Sequence, residues 1–438
     1  MIRTTIFPCS LPKPEADALN QESARIYTRT LVEHYRVYRH TGRWLSVNAD
    51  CKIEDRLGGP TSLHAHSRDA AQQAFYTACK TAQANRDAEG RGAHYPHKRK
   101  FWRTTIWKNT GLHLKPGGVL HLARARGLEP VVVSLPSPLA DLPQDAFHEA
   151  RLVWDKASRH YDWHLVIEDG VLPPEEPPGK GVGALDLGEI HPVTFTDGQE
   201  VIVITARALR SVNQYTHKRL AELQRQQAAK QKGSRAWKRL QRRKNRFLAQ
   251  QARRKRDIEH KVSHETVICS VEHRVGTLAM GDVRDVADGK RLNTQSQQKV
   301  SNWSHGRQRQ YTTYKAKAHG IGVELVDEAY SSQTCPNCGK RHKPTGRRYS
   351  CPACGFVSHR DAVGSANILS RHLYGEVGHV KPPSIIKYRQ PFGRANRQEI
   401  EWAFASREGK RSRLDTAEMA VAERVARHAR QSTEAAPL

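Results

Sequence analysis

No stretch of this sequence approaches the roughly 18 uninterrupted apolar residues that a membrane span requires. The opening residues, MIRTTIFPCSLPKPE, lack the apolar core of a secretory signal. The expectation is a cytoplasmic, intracellular protein with no membrane partner. Cysteine is scarce as well, and of the eight present Cys9, Cys51, Cys79 and Cys269 stand alone, which argues against a disulfide-framed secreted fold. Acidic residues are outnumbered: 44 Asp and Glu face 72 Lys and Arg. The net charge of +28 opposes compaction unless a polyanion neutralises part of it, and nucleic acid is the obvious counter-charge. Composition does not choose between DNA and RNA.

What is present organises the chain into several domains of α/β and α+β class. Residues 15–40 place Tyr27, Leu31, Tyr35 and Tyr38 at helical intervals, whereas GGVLHLARA, PVVVSLP and DWHLVIED are short, apolar and bounded by Gly, Pro or acids, as strands are. This predicts a small β domain over 1–14 and 105–180 with a helical insertion at 15–104. The Pro- and Glu-rich stretch from Leu172 to Lys180 reads as a linker. Beyond it, GALDLGEIHPVTFTDGQEVIVIT predicts a hairpin turning at Asp197-Gly198, with an acid in its first strand. From Arg207 to about Arg274 the pattern is helical and breaks at Gly233, which predicts a pair of long helices. No acidic residue lies between Leu223 and Arg256, while Lys238, Arg239, Arg242, Arg243, Lys244, Arg246, Arg253, Arg254, Lys255 and Arg256 make the second helix a basic rod. A charge run is usually a solvated face, but repulsion along so one-sided a surface favours a phosphate backbone as partner. Strands at 275–280 and 323–326 then alternate with helix, placing an α/β domain over 181–330 and 359–380 that includes the helical pair at 207–274. Residues 381–438 read as a basic tail, helical or disordered, to which no chemistry is assigned.

The strongest local signal is Cys335-Pro-Asn-Cys338 followed by Cys351-Pro-Ala-Cys354, each pair trailed by glycine. Two CxxC-G turns can direct four thiolates at one ion, so residues 331–358 are expected to form a closed, structural Zn²⁺ ribbon. Asp361, in HRDAVGSANI, stands where a helix should begin; alone it would be taken for a helix cap. Asp186, in ALDLG, could simply end a strand. Together they carry more weight, because an acid amid apolar strand residues is costly unless matched, and a divalent cation is one efficient match.

The order of LDLG, a basic helical pair, YSSQTCPNCG, CPACG and HRDAVGSANI resembles that of TnpB, the transposon-encoded family, and of the compact type V CRISPR effectors similar to it. The resemblance covers about 181–370 most strongly. It implies a RuvC-like (RNase H-like) nuclease domain with an inserted zinc ribbon, a wedge-type β domain and a helical recognition insertion. It further implies a guide RNA, a double-stranded DNA target and phosphodiester hydrolysis at a two-metal site holding Mg²⁺ ions, with Asp186 as first acid and Asp361 as third. The second acid departs from the pattern, since Gly281 of LAMGDV stands where a glutamate is expected. Either the nuclease is inactive or the acid has moved. Strand alternation would put Glu324, Val326 and Glu328 on one face, and Glu328 is expected to be the relocated acid, with Asp282 the next candidate. The function expected is that of an RNA-guided DNA endonuclease. The alternatives are a nuclease-inactive RNA-guided repressor and a guide-free zinc-ribbon transposase.

Overall fold

The computed structural model describes residues 2–57, 59–89, 93–284, 293–391 and 396–401. Contacts divide the chain into one unit of Met1–Glu175 with Ser211–Asp257, and a second of Glu176–Arg210 with Ile258–Leu438.

In the first unit, strand β1 (Ile2–Pro8) is followed by helices α1 (Lys13–Thr41), α2 (Val47–Leu57) and α3 (Ala65–Glu89). The chain then returns to strand in β2 (Thr105–Lys108), β3 (Leu112–Lys115), β4 (Val119–Leu122) and β5 (Val131–Ser134). A single turn, α4 (Ser137–Ala140), leads into the long hairpin of β6 (Phe147–Asp155) and β7 (His160–Glu168). Strands β1, β7, β6 and β2 form one antiparallel sheet in that order, and β3, β4 and β5 form another. Alternation along β7 turns Tyr161, Trp163, Leu165 and Ile167 inward. Trp163 meets Trp107 of β2 edge-on at 5.8 Å. Buried Asn20 ties α1 to this sheet, donating to Leu152 O at 3.1 Å and accepting from Thr105 N at 2.9 Å, so burying its amide leaves neither end unmatched. Helix α1 stops at Gly42, whose φ of 67° is open to glycine without strain and lets its N–H reach Tyr38 O.

Helices α5 (Arg207–Ala228) and α6 (Arg235–Glu272) flank Gly233. Most of the pair belongs to the first unit and not, as the sequence suggested, to the α/β domain. The helices pack on each other through Tyr215 and Phe247, 5.7 Å apart, and Arg253 of α6 reaches Asp155 of β6 at 3.5 Å. Residues 258–272, the end of α6, belong to the second unit.

The second unit is built on strands β8 (Gly181–Asp186), β9 (Val193–Thr196), β10 (Val201–Ile204), β11 (Val275–Asp282) and β12 (Gly322–Asp327). Helices α7 (Thr294–Asn302) and α8 (His305–Ala318) lie in sequence between β11 and β12. After β12 come the short strands β13 (Arg348–Ser350) and β14 (Val357–His359), helix α9 (Arg360–Tyr374), and strands β15 (Ile385–Gln390) and β16 (Asn396–Glu401). One mixed sheet runs β12-β11-β8-β9-β10-β15-β16, in which β8, β11 and β12 are parallel neighbours. Ala362, Ile368 and Leu369 of α9 pack on residues of β8, β10 and β11.

Two expectations are corrected here. The hairpin at Asp197-Gly198 is formed by β9 and β10, and Asp186 ends a separate strand, because the chain turns back between Gly188 and Pro192, whose N–H and carbonyl meet at 3.3 Å. Nor does the tail begin at 381. Residues 385–390 pair in parallel with β10 and bury Ile386 against Val201, Val203 and Ala362. Residues 402–438 of the expected tail lie outside the described residues.

Candidate metal centre and nucleic-acid interface

Three parallel strands end at one level of the sheet. Leu185 lies opposite Met280, and Gly281 opposite Val326, so the residues that follow β8 and β12 emerge on either side of the end of β11 at the carboxyl ends, where α/β sheets bind ligands. Asp186 closes β8, and Glu328 stands one residue past β12. A Cβ built on Gly281 would fall 3.2 Å from Glu328 Oε2 and 3.4 Å from its Cβ. The Glu328 carboxylate thus occupies space that a side chain at 281 would claim. Alternation holds along β12: Glu324 comes within 3.6 Å of His372 of α9, and Val326 packs with Ile368 of the same helix.

Helix α9 contributes the third acid. A Cβ on Gly364 would lie 2.7 Å from Asp186 Oδ2, so this glycine lets the helix come down on the strand end. Asp361, one turn earlier and on the same face, is 7% exposed. It is not the helix cap: His359 takes that place, its Nδ1 accepting the Asp361 N–H at 3.2 Å. Burial, followed by the facing charges of Asp361 and Glu328, pushes the Asp186 carboxyl well above its usual range, against the opposing pull of Arg360 and Arg347. Asp282, by contrast, is gripped by Arg284, whose Nε lies 2.9 Å from each carboxylate oxygen, and this holds its carboxyl below the ordinary value.

Two residues around Asp361 had no signal in the sequence. Arg347 Nη1 donates to both carboxylate oxygens, at 2.6 and 2.8 Å. His191, in the β8–β9 connection, is 4% exposed, and burial brings its imidazole down to about 4 even though Asp361 pulls the other way. Neither can be read from local pattern, because each meets Asp361 only through the fold. Asp361 and Glu328, whose charges bear on Asp186, complete with it an oxygen donor set of the kind that suits a hard divalent ion such as Mg²⁺.

The four cysteines converge. Cys335 and Cys354 sulfurs are 3.6 Å apart, as are those of Cys338 and Cys351, and all four can reach one ion. Gly339 and Gly355 adopt φ of 69° and 74°, and their N–H groups donate to Cys335 O and Cys351 O at 2.9 Å, closing twin turns. Burial pushes the Cys335 thiol up to about 12, whereas Cys354, despite burial, is drawn down to about 6 by hydrogen bonds from the Asn337 side chain and the Phe356 backbone. The chain enters this ribbon through Tyr330, whose φ of 63° is a strained value for so bulky a residue and whose ring lies 3.4 Å from the Arg341 guanidinium. Buried Asn367 of α9 donates to Ser331 O and Thr334 O at 2.6 and 2.8 Å, fixing the segment after Glu328 to the helix that carries Asp361.

On α6, Lys238, Arg239, Arg242, Arg243, Arg246, Arg253, Arg254 and Arg256 are exposed. Lys244 and Lys255 are half-buried, and Lys244 Nζ reaches Gln227 Oε1 of α5 at 3.2 Å.

Residues 305–368, which span β12, the ribbon and the start of α9, match the family model described as "Cas12f1-like, TNB domain". Residues 164–287 match the model described as "Probable transposase". A TnpB-like protein of Methanocaldococcus jannaschii is 26% identical over 140 residues, 31% of this chain and 49% of that protein. The CRISPR-associated endodeoxyribonuclease Cas12f1 of Sulfoacidibacillus thermotolerans is 30% identical over 115 residues, a quarter of each chain. Over these segments the chain is similar to TnpB-like proteins and to Cas12f1. InsQ of Escherichia coli is 28% identical over 223 residues, 48% of this chain and 53% of InsQ. The matches thus span about half of the M. jannaschii and E. coli proteins and a quarter of Cas12f1. In fold, the chain resembles Cas12f1 solved in an sgRNA–target DNA complex, with a TM-score of 0.54 at 12% identity over 82% of this chain and 83% of that one. It also resembles the mini-RNA-guided endonuclease CRISPR-Cas_phi3, with a TM-score of 0.53 at 10% identity over 87% and 94%. No helix among the described residues is long and apolar enough to cross a membrane.

Proposed function

We propose that this chain is an RNA-guided DNA endonuclease whose RuvC-like site consists of Asp186, Glu328 and Asp361. The observation that carries the reading is the Glu328 carboxylate, which fills the side-chain space of Gly281 beside Asp186. A glutamate arriving from β12 takes the place of one departing from β11. Bound Mg²⁺ would supply an activated water and charge neutralisation at the leaving oxygen. Asp186, Glu328 and Asp361 would hold that cation and align it, the raised proton affinity of Asp186 being lowered as positive charge arrives. Arg347, now on Asp361, would then be released to pair with a substrate phosphate.

The remaining parts follow the same reading. Cys335, Cys338, Cys351 and Cys354 would hold structural Zn²⁺. The exposed basic face of α6 would track the backbone of guide RNA or of the guide–target hybrid, leaving sequence choice to base pairing. Residues 1–14 with 105–180 would act as the wedge-type domain and residues 15–104 as the recognition insertion.

The glycine at 281 also favours a second reading, in which the protein binds guided DNA without cutting and represses by occupancy. Purifying the chain with its native RNA, sequencing that RNA and challenging a matching plasmid in Mg²⁺ separates these readings. Guided cleavage is expected. Guided binding without cleavage would establish the repressor, and absence of any discrete RNA would favour a guide-free transposase.

A further inference from the structure

Asp361 has a second flank whose chemistry differs from that of the carboxylates. A ring nitrogen of His191, a ring nitrogen of His359 and a carboxylate oxygen of Asp361 all lie within 4.8 Å of one another, and the three residues are buried. Their roles are separable. His359 already spends Nδ1 on the Asp361 N–H, so in its neutral form it carries the proton on Nε2 and has no lone pair to give. His191 Nδ1 is buried without a hydrogen-bond partner, although a buried polar atom is costly to leave unmatched. Its position is also well fixed: a Cβ on Gly188 would lie 2.6 Å from His191 O, and the Gly188 N–H closes the loop onto Pro192 O at 3.3 Å. The β8–β9 connection therefore presents one imidazole with an unmatched ring nitrogen, which in the tautomer protonated at Nε2 offers a lone pair, close to a carboxylate already read as a metal ligand.

We propose that His191 is a nitrogen ligand to the divalent ion held by Asp361. The proposal rests on the reading of Asp361 as a metal ligand and deepens it. The ion at Asp361 then sits in a mixed nitrogen and oxygen donor set, which raises its affinity for Mn²⁺ and the later divalent ions relative to Mg²⁺.

The test uses the full chain, purified with its RNA and with zinc bound, and Mn²⁺ as the probe. Electron spin-echo modulation reports a ¹⁴N nucleus bonded directly to Mn²⁺ without requiring any turnover. The wild type should give the modulation of a bound imidazole. His191→Ala should lose it and bind Mn²⁺ about tenfold or more weakly, while His191→Gln, with zinc content unchanged as the check on folding, should lose the modulation equally. Mn²⁺ bound in the wild type with no nitrogen modulation overturns the proposal and leaves the endonuclease reading intact. Modulation that persists in both variants also overturns it. Absence of Mn²⁺ binding, together with absence of guided cleavage, would instead remove the reading on which the proposal stands.

Discussion

Glu328 and Gly281 share one space: the glutamate arrives from the end of β12 and lays its carboxylate 3.2 Å from where a side chain at 281 would begin. Two positions far apart in sequence therefore compete for a single carboxylate site.

Glu328→Gln should abolish guided cleavage as fully as Asp186→Ala or Asp361→Ala, with guided DNA binding retained. Asp282→Asn is the matched control, since Asp282 is engaged by Arg284 and is not among the charges that raise the Asp186 carboxyl. Loss of cutting in Asp282→Asn with normal cutting in Glu328→Gln, in a plasmid assay, would reverse the assignment.

The shared space allows a transplant. Gly281→Glu alone should lower Tm, by overpacking of about 1–3 kcal/mol, because its Cβ would lie 2.9 Å from the buried Ile368 Cδ1 and crowd Glu328. Combined with Glu328→Gly, it should regain cutting that Glu328→Gly alone lacks. A double variant no more active than the single one would mean that the two positions are not interchangeable.

Removing one thiolate, in Cys338→Ser or Cys354→Ser, should release zinc and reduce both Tm and cutting, because Arg347 and the segment that orders Glu328 are anchored on either side of the ribbon. Zinc stoichiometry near zero in the wild type would defeat the assignment.

Neutralising Arg242, Arg243 and Arg246 together, all exposed on α6, should weaken RNA or hybrid binding for every guide alike. It should also flatten the dependence of log Kd on log salt concentration. An unchanged slope would count against backbone contact.

Acid should weaken the helical part of the first unit through His34. Its ring is fully buried among Tyr35, Trp44, Phe75 and Tyr76, and burial holds its imidazole below the ordinary 6.5. As pH falls below 6.5, the unfolded chain takes up a proton that the folded chain refuses, so this contribution to stability is intact above 6.5 and declines below it. The slope is at most about 1.4 kcal/mol per pH unit. Tm measured between about pH 7.5 and 5 should fall, and His34→Gln should flatten the fall; equal slopes would exclude His34 as the source.

Features that depend on neighbours in sequence were legible there. The CxxC pairs, the break at Gly233 and the strand ending at Asp186 each follow from a few adjacent residues. The proximity of Glu328 to Gly281 and Asp186 could be anticipated because strand period two selects one face. Strand β15 was hidden because Lys387 and Arg389, paired with Glu200 and with Glu265 and Glu272 of α6, place charges where the alternation that buries Ile386 would otherwise show. His191 and Arg347 were invisible for a different reason: each acquires its meaning from Asp361, distant along the chain, and no local periodicity records that meeting. The placement of the basic helices in the first unit is likewise decided by tertiary packing, which period and charge do not encode.

The acids at 186, 328 and 361 come from three separated segments, and the last sits on a helix whose packing also involves β15, further along still. During synthesis β8 leaves the ribosome long before α9 exists to close over it. A nascent chain therefore carries Asp186 with neither of its companions, so the proposed site cannot assemble before α9 has emerged.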